Sequence, residues 1–320
     1  MNKNKLIEVL KIQSESYNQW RMFAYLIRQL KAAGCQYYTY NGCIYATKGS
    51  ADLYPCIVSH MDTVHDIAED LSCIEINGNI TGFNAYTMEQ TGIGGDDKVG
   101  IFIALQCLEL FDNIKLAFFR DEETGCEGSY NADFDFFNDC NFVLQCDRKG
   151  NGDFVTNAGG IELSSSEFQA DILPVLSGFG YKYANGMMTD VMALKECGIN
   201  CSMANISCGY YNPHCCNEFV NLQDVENCLL MVQTIVQEFG GNSYPHSYTQ
   251  YFDNKTKFKR TARQFDLYEE THISKWNRNF IDPYCADCWS GSPEANGLCK
   301  TCNEYYEKEI GKYGNNNFHS

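Results

Sequence analysis

The chain has 320 residues, 44% of them hydrophobic, enough to bury a full core as one large domain or as one domain with a small appendage. Its 41 acidic against 24 basic residues leave a net charge of −17, which argues against a nucleic-acid or anionic-membrane binder, because such a surface repels phosphates. Glu8 and Lys11 interrupt the apolar residues of positions 1–16, so no secretory core forms there, and no run reaches the roughly 18 apolar residues of a membrane span. The expectation is a cytoplasmic protein whose eighteen cysteines are mostly reduced thiols.

Residues 6–12 and 18–33 read as helices; in the second, Trp20, Phe23, Ile27 and Leu30 recur at helical spacing as a core-packing stripe, and Gly34 supplies a stop. Residues 36–40 and 44–46 flank Asn41-Gly42, the pair a tight hairpin turn prefers. Residues 54–58 form a short apolar run that leads into Ser59-His60-Met61-Asp62-Thr63-Val64. His60 and Asp62 then stand just past a strand end, on one face, where Asp62 can reach His60 and hold its tautomer. Taken alone, His-x-Asp is a weak signal, and a structural histidine explains it better. A second hairpin, residues 73–76 and 79–83, turns through Asn77-Gly78.

Thr91-Gly92-Ile93-Gly94-Gly95-Asp96-Asp97-Lys98-Val99-Gly100 opens a strongly apolar helix, with two aspartates where the helix dipole favours anions. An aspartate N-cap is the plain alternative, and the glycines match no phosphate-binding pattern. Residues 115–119 are a buried strand that ends in Asp121-Glu122-Glu123 and Gly125. Three adjacent carboxylates need a strong counter-charge, and a divalent metal supplies one while leaving a carboxylate free as a base. Residues 142–146 form a third apolar run, ending at Asp147-Arg148. A strand pair over 154–163, a helix over 167–176, a helix over 189–197 and a strand over 202–207 follow. A loop brings in His214, and Asn221 caps a last amphipathic helix with Leu222, Val225, Leu229, Val232, Val236 and Phe239 on its apolar face.

A strand-end histidine, helix-start aspartate, paired glutamates, a further strand-end aspartate and a late loop histidine supply five ligands and one base, the inventory of a two-zinc hydrolytic site. In this order the motifs around His60, Asp96, Glu122-Glu123, Asp147 and Asn212-Pro213-His214 through Asn217-Glu218-Phe219-Val220 resemble the co-catalytic zinc peptidase family of peptidase T, carboxypeptidase G, aminoacylase and cytosolic dipeptidases. The resemblance implies an α/β fold with a mixed, mostly parallel sheet sandwiched by helices. It also implies His60 and Asp147 on one zinc, Glu123 and His214 on the other, and Asp96 bridging. Asp62 would orient His60, and Glu122 would be the general base of amide hydrolysis. Zinc, cobalt or manganese all suit such ligands. The implied substrate is a small peptide or an N-acyl amino acid.

Most members of that family insert a lid between the last aspartate and the last histidine. Here 67 positions (214 minus 147) separate the two, and their strand and helix signals look like main-domain elements, so a lid is not expected. Single-domain relatives typified by secreted bacterial leucine aminopeptidases share this economy but differ around the first histidine. Without a lid, Arg148, Tyr210 and Tyr211 are the substrate-binding candidates by position.

The catalytic domain is expected over 1–241, a linker over 242–276 and a small module over 277–320. The linker carries Lys255, Lys257, Lys259, Arg260 and Arg263, which read as a solvated stretch or as a contact for the acidic main domain. In the module, Cys285-Ala286-Asp287-Cys288 and Cys299-Lys300-Thr301-Cys302 give two CxxC knuckles, the pattern of a zinc-ribbon-like structural site, with disulfides as the alternative. A closed four-thiolate site leaves no open position for chemistry, so the module would stabilise the chain or bind a protein partner. A non-catalytic scaffold acting through that module is the competing function, weakened by the fact that no ligand and no base is missing.

Overall fold

Successive side chains of a strand point to opposite faces, and a sheet covered on both faces therefore reads as unbroken apolar runs. In a computed structural model, which describes residues 1–68 and 70–248, this is how the central strands are used. Ile57, Leu116, Phe118, Phe142, Leu144, Ala204 and Ile206 face one buried cluster, while Val58, Ala117, Phe119, Val143 and Met203 face another. The basic cluster of 255–263 and the four cysteines Cys285, Cys288, Cys299 and Cys302 lie outside the described residues.

In chain order, α1 (Lys3–Leu10) and α2 (Trp20–Ala32) precede the hairpin of β1 (Gln36–Tyr40) and β2 (Cys43–Lys48). Its turn puts Asn41 and Gly42 at φ of 48° and 74°, which those residue types tolerate. β3 (Tyr54–His60), β4 (Leu71–Ile76), β5 (Asn79–Asn84) and β6 (Glu89–Thr91) lead to α3 (Gly95–Leu110) and β7 (Ile114–Phe119). Then come α4 (Glu127–Tyr130), β8 (Cys140–Arg148), β9 (Asp153–Ala158), β10 (Ile161–Glu162), α5 (Ser166–Gly178) and β11 (Lys182–Gly186). The last elements are α6 (Asp190–Glu196), β12 (Ser202–Ser207), β13 (Tyr210–Tyr211), β14 (Phe219–Asn221) and α7 (Leu222–Phe239). Among the described residues no helix is long and apolar enough to cross a membrane.

A nine-stranded mixed sheet runs β1-β2-β7-β3-β8-β12-β9-β10, with β11 added on β9; its centre, β7-β3-β8-β12, is parallel. A five-stranded sheet runs β13-β14-β5-β4, with β6 on β5. Helix α3 is buried on nearly every side (Ile101, Phe102, Ile103, Ala104, Leu105), which explains why its sequence is apolar without a polar stripe. From β3 the chain crosses through α3 to β7 on one side, and from β8 it crosses to β12 on the other. The crevice between the carboxyl ends of β3 and β8 is thus the point where strand order reverses, the place where open α/β sheets bind ligands.

Three readings shift. β8 continues through Asp147 to Arg148, because its pairing with β12 extends past a register shift to Ser207 and Arg148, so Asp147 lies inside the strand. Trp20 and Phe23 are only partly buried, and Met22, Leu26, Ile27 and Leu30 carry the core face of α2. β11, Lys182–Gly186, is an edge strand of half-exposed residues with no apolar alternation to announce it.

Candidate metal centre

Parallel strands bring their carboxyl ends to one edge, and that edge gathers the acids. His60 closes β3, the 121–123 turn follows β7, Asp147 is the penultimate residue of β8, and the loop after β12 and β13 carries His214. Asp96 arrives from the opposite direction, in the first turn of α3, where it and Asp97 leave helical geometry.

The donor atoms fall into two groups that share one residue: His60, Asp96 and Asp147, and Asp96, Glu123 and His214. His60 Nε2 stands 3.2 Å from Asp96 Oδ1 and 3.6 Å from Asp147 Oδ1. His214 Nε2 stands 3.3 Å from Asp96 Oδ2 and 3.1 Å from Glu123 Oε2. Bonds of about 2.0–2.1 Å to a tetrahedral zinc place neighbouring donors about 3.3–3.4 Å apart, so both groups have the spacing of a divalent metal's ligand shell. Glu123 Oε1 is buried without a hydrogen-bond partner, an orphaned acceptor of the kind a cation satisfies. Glu122 belongs to neither group.

His60 Nδ1 donates to the Asp62 carbonyl at 2.9 Å; a carbonyl only accepts, so the proton sits on Nδ1 and Nε2 is left to face Asp96 and Asp147. The Asp62 carboxylate itself is 3.5 Å from Nδ1 and has closer partners. It accepts from the backbone N–H of Glu122 at 3.0 Å, from that of Glu123 at 3.3 Å and from Ser16 Oγ at 2.8 Å. Asp62 therefore meets His60 Nδ1 most closely through its backbone carbonyl, while its carboxylate faces the same nitrogen at 3.5 Å and also holds the glutamate turn. Asp121 completes that turn: at φ 52° it accepts from Tyr17 N–H at 2.7 Å and from Arg120 Nη1 at 2.5 Å.

Burial and crowding set the charges. Burial pushes Glu122, Glu123, Asp97 and Asp147 upward from the ordinary carboxylate range, and neighbouring carboxylates reinforce it. Burial would also raise Asp96, but hydrogen bonds to His214 and His60 outweigh it and hold Asp96 ionised. Burial alone would lower His60, and the carboxylates of Asp147, Asp62 and Asp96 raise it instead. His214 is raised to about 9, chiefly by its hydrogen bond to Asp96.

These shifts give a test. Carboxyls and imidazoles whose folded pKa exceeds the unfolded value bind more protons in the folded state, so their contribution is complete at low pH and is lost as pH climbs toward their folded values. The metal-free protein should accordingly melt at a lower temperature at pH 9 than at pH 5. Excess zinc, which binds deprotonated ligands and releases protons, should reverse that slope. Melting curves at both pH values decide; a chelated protein that gains stability with rising pH contradicts the charge pattern.

Around the centre, Gln145 Nε2 donates to Asp147 Oδ2 and to Asp190 Oδ2, each at 3.0 Å, and Asn205 brackets the Asp147 backbone from both sides. Neither Gln145 nor Asn205 was singled out by sequence; an amide inside an apolar strand was the available signal. An open cleft of 430 Å³ abuts the site, lined by Asp147 and His214 together with Arg148, Lys149, Met187, Met188 and Tyr210 among others. Arg148 pairs with Asp153 through Nε and Nη2 at 3.1 and 3.0 Å. Tyr210 is buried with its hydroxyl 3.4 Å from Asp147 Oδ1. Tyr211 is not brought to the cleft: it stacks on Phe219 at 5.0 Å and donates to Asp224 at 2.6 Å.

No protein-family model matches the chain, and no curated protein matches it. Solved structures do. The fold is similar to that of aminopeptidase PepT from Bacillus cereus, at 13% identity over 73% of this chain and 97% of that one, with a TM-score of 0.62. It is similar to a tripeptidase from Staphylococcus aureus at 14% identity, over 73% and 96%, with a TM-score of 0.59. A TET aminopeptidase from a marine-sediment Thaumarchaeota archaeon gives 11% identity, over 74% and 96%, with a TM-score of 0.57. At these identities the likeness is one of fold: the described α/β domain has the architecture of these peptidases over nearly their full length.

Proposed function

We propose that this chain is a metal-dependent exopeptidase of short peptides, acting as an aminopeptidase. The observation that carries this reading is the sharing of Asp96 between two donor groups with metal-ligand spacing, beside a glutamate that belongs to neither. The peptidases similar in fold add support. In this reading His60 and Asp147 hold one divalent metal, Glu123 and His214 the other, and Asp96 both. When bound, such a pair polarises the scissile carbonyl and acidifies a water.

The chain's own residues do the rest. Glu122, held on its turn by the Asp62 carboxylate, accepts a proton from the attacking water and returns it to the departing amine nitrogen. Burial raises its proton affinity, which suits the second half of that exchange. Tyr210, kept protonated by burial and by the charges of Asp96 and Asp147, has a hydroxyl to offer at the cleft. Val155, Met187, Met188 and Pro213 form an apolar wall for a substrate side chain, and methionines adapt to several shapes. Arg148 and Lys149 stand on the same cleft in a chain of net charge −17, which favours as second reading a substrate held by a free carboxylate, such as an N-acyl amino acid. Residues 1–241 form the catalytic domain in this proposal, and Cys285, Cys288, Cys299 and Cys302 bind a third, structural zinc.

Metal analysis with a peptide panel tests both readings. The expected result is three zinc-class metals per chain, and cleavage of Leu-Gly-Gly that stops when the amine is acetylated and that a chelator abolishes. Cleavage only of acetylated substrates would shift the assignment to the second reading. Fewer than two metals in the 1–241 region would remove both.

A further inference from the structure

Glu218 is fully buried and takes no part in either donor group, yet its carboxylate is saturated with hydrogen bonds. Oε2 accepts from the backbone N–H of Ile93 at 3.1 Å, from that of Gly94 at 2.6 Å and from His65 Nε2 at 2.8 Å. Oε1 accepts from the backbone N–H of Asp96 at 3.2 Å. A buried polar side chain is tolerated when its acceptors are so satisfied, and here three of its donors belong to the segment that ends in the shared ligand.

The glycines of that loop fit the same arrangement. A Cβ on Gly92 would lie 2.0–2.3 Å from the His65 ring, and one on Gly95 would lie 2.8 Å from Tyr210 Cβ and 3.3 Å from Glu218 Oε1. Gly94 sits at φ 65°. The backbone is bare where His65 and Glu218 press against it. Glu218 is anchored in turn: Thr81 Oγ1 donates to its carbonyl at 3.2 Å, and β14, which begins at the next residue, pairs with β5.

We infer that Glu218, with His65, is a positioning pair: by gripping the amides of residues 93, 94 and 96 it sets where the Asp96 carboxylate stands between His60 and His214. Asp96 must present one oxygen to each histidine, at 3.2 and 3.3 Å, so a small displacement of the loop breaks one ligand group to keep the other. The pair acts through Asp96 and touches no substrate. The inference rests on the proposed assignment of Asp96 as shared ligand.

The test uses the full chain and zinc itself as probe. Glu218→Gln keeps size but replaces one acceptor oxygen with a donor that faces the amides. Its affinity for zinc should fall about 10–100-fold, the usual effect of removing a partner behind a ligand. On a peptide that the parent cleaves, kcat should fall with KM changed less than about threefold, the pattern of a disturbed centre rather than a disturbed cleft. A purely structural role would lower the melting temperature of the metal-free protein and leave the zinc affinity of the folded protein at the parent value, and that result overturns the inference. Should Glu218→Gln not fold, His65→Ala and His65→Gln decide: Ala should weaken zinc binding and Gln, which restores a donor to Glu218, should recover it. Parent-like affinity in both overturns the pair. A parent that binds two zincs but cleaves no peptide would end the proposed function while leaving the affinity test intact.

Discussion

Glu122→Gln is expected to lower kcat by about 10²–10⁴-fold, the usual contribution of a general base, while the protein keeps its full complement of metal. The geometry makes these two effects separable. Glu122 is outside both donor groups, whereas its neighbour Glu123 is within 3.1 Å of His214 Nε2. Among the described residues the Glu122 carboxylate accepts from a thiol alone, that of Cys126 at 3.5 Å, so it is left to take a proton. Its backbone N–H is fixed by Asp62 whatever its side chain, so the amide isostere keeps the turn in place. Elemental analysis beside steady-state kinetics reads both quantities. A variant as active as the parent removes the base assignment; one that loses a metal makes Glu122 a ligand.

Asp96→Asn should have the larger effect on metal content. Replacing Asp147 or Glu123 removes a donor from one group, but Asp96 belongs to both. It is also the carboxylate that the two histidines keep ionised while its neighbours are pushed toward the neutral acid. The asparagine variant is therefore expected to lose tight binding at both sites and nearly all turnover, whereas Asp147→Asn and Glu123→Gln each cost one equivalent. Zinc titrations of the three variants compare them directly. Asp96→Asn retaining two tightly bound zincs would show that the groups do not share it. The same geometry predicts weaker metal binding as pH falls, because raised carboxylates must give up protons to become ligands.

Much of this was written locally. Apolar runs marked β3, β7 and β8 because both faces of the sheet are covered, and Asn41-Gly42 and Asn77-Gly78 marked hairpins because their turns need positive φ. Asn221 announced α7, and its side chain does accept from Asp224 N–H. The acids and histidines could be recognised as candidates by type and order alone.

What those letters did not contain was distance. Period-two alternation says which face a side chain takes but not which strand lies beside it, so the placement of β3 between β7 and β8, and the crevice this creates, came from packing of the crossovers. The carboxylate of Asp62 was read as the partner of His60, and it does stand 3.5 Å from Nδ1, but its closer hydrogen bonds go to the amides of Glu122 and Glu123, 60 and 61 residues along the chain. Glu218 and His65, separated by 153 positions, meet where the chain enters β14, which pairs with β5. Sequence by itself determined which side chains can ligate, where the apolar strands and amphipathic helices lie and where the hairpins turn, since those depend on neighbours a few residues away, whereas polar edge strands such as β11 did not show. Tertiary structure alone decided which donors come within ligand distance of one another, that Glu122 stands outside both groups and that His65 meets Glu218, because hydrogen bonds and charge interactions act over a few ångströms of space regardless of separation along the chain.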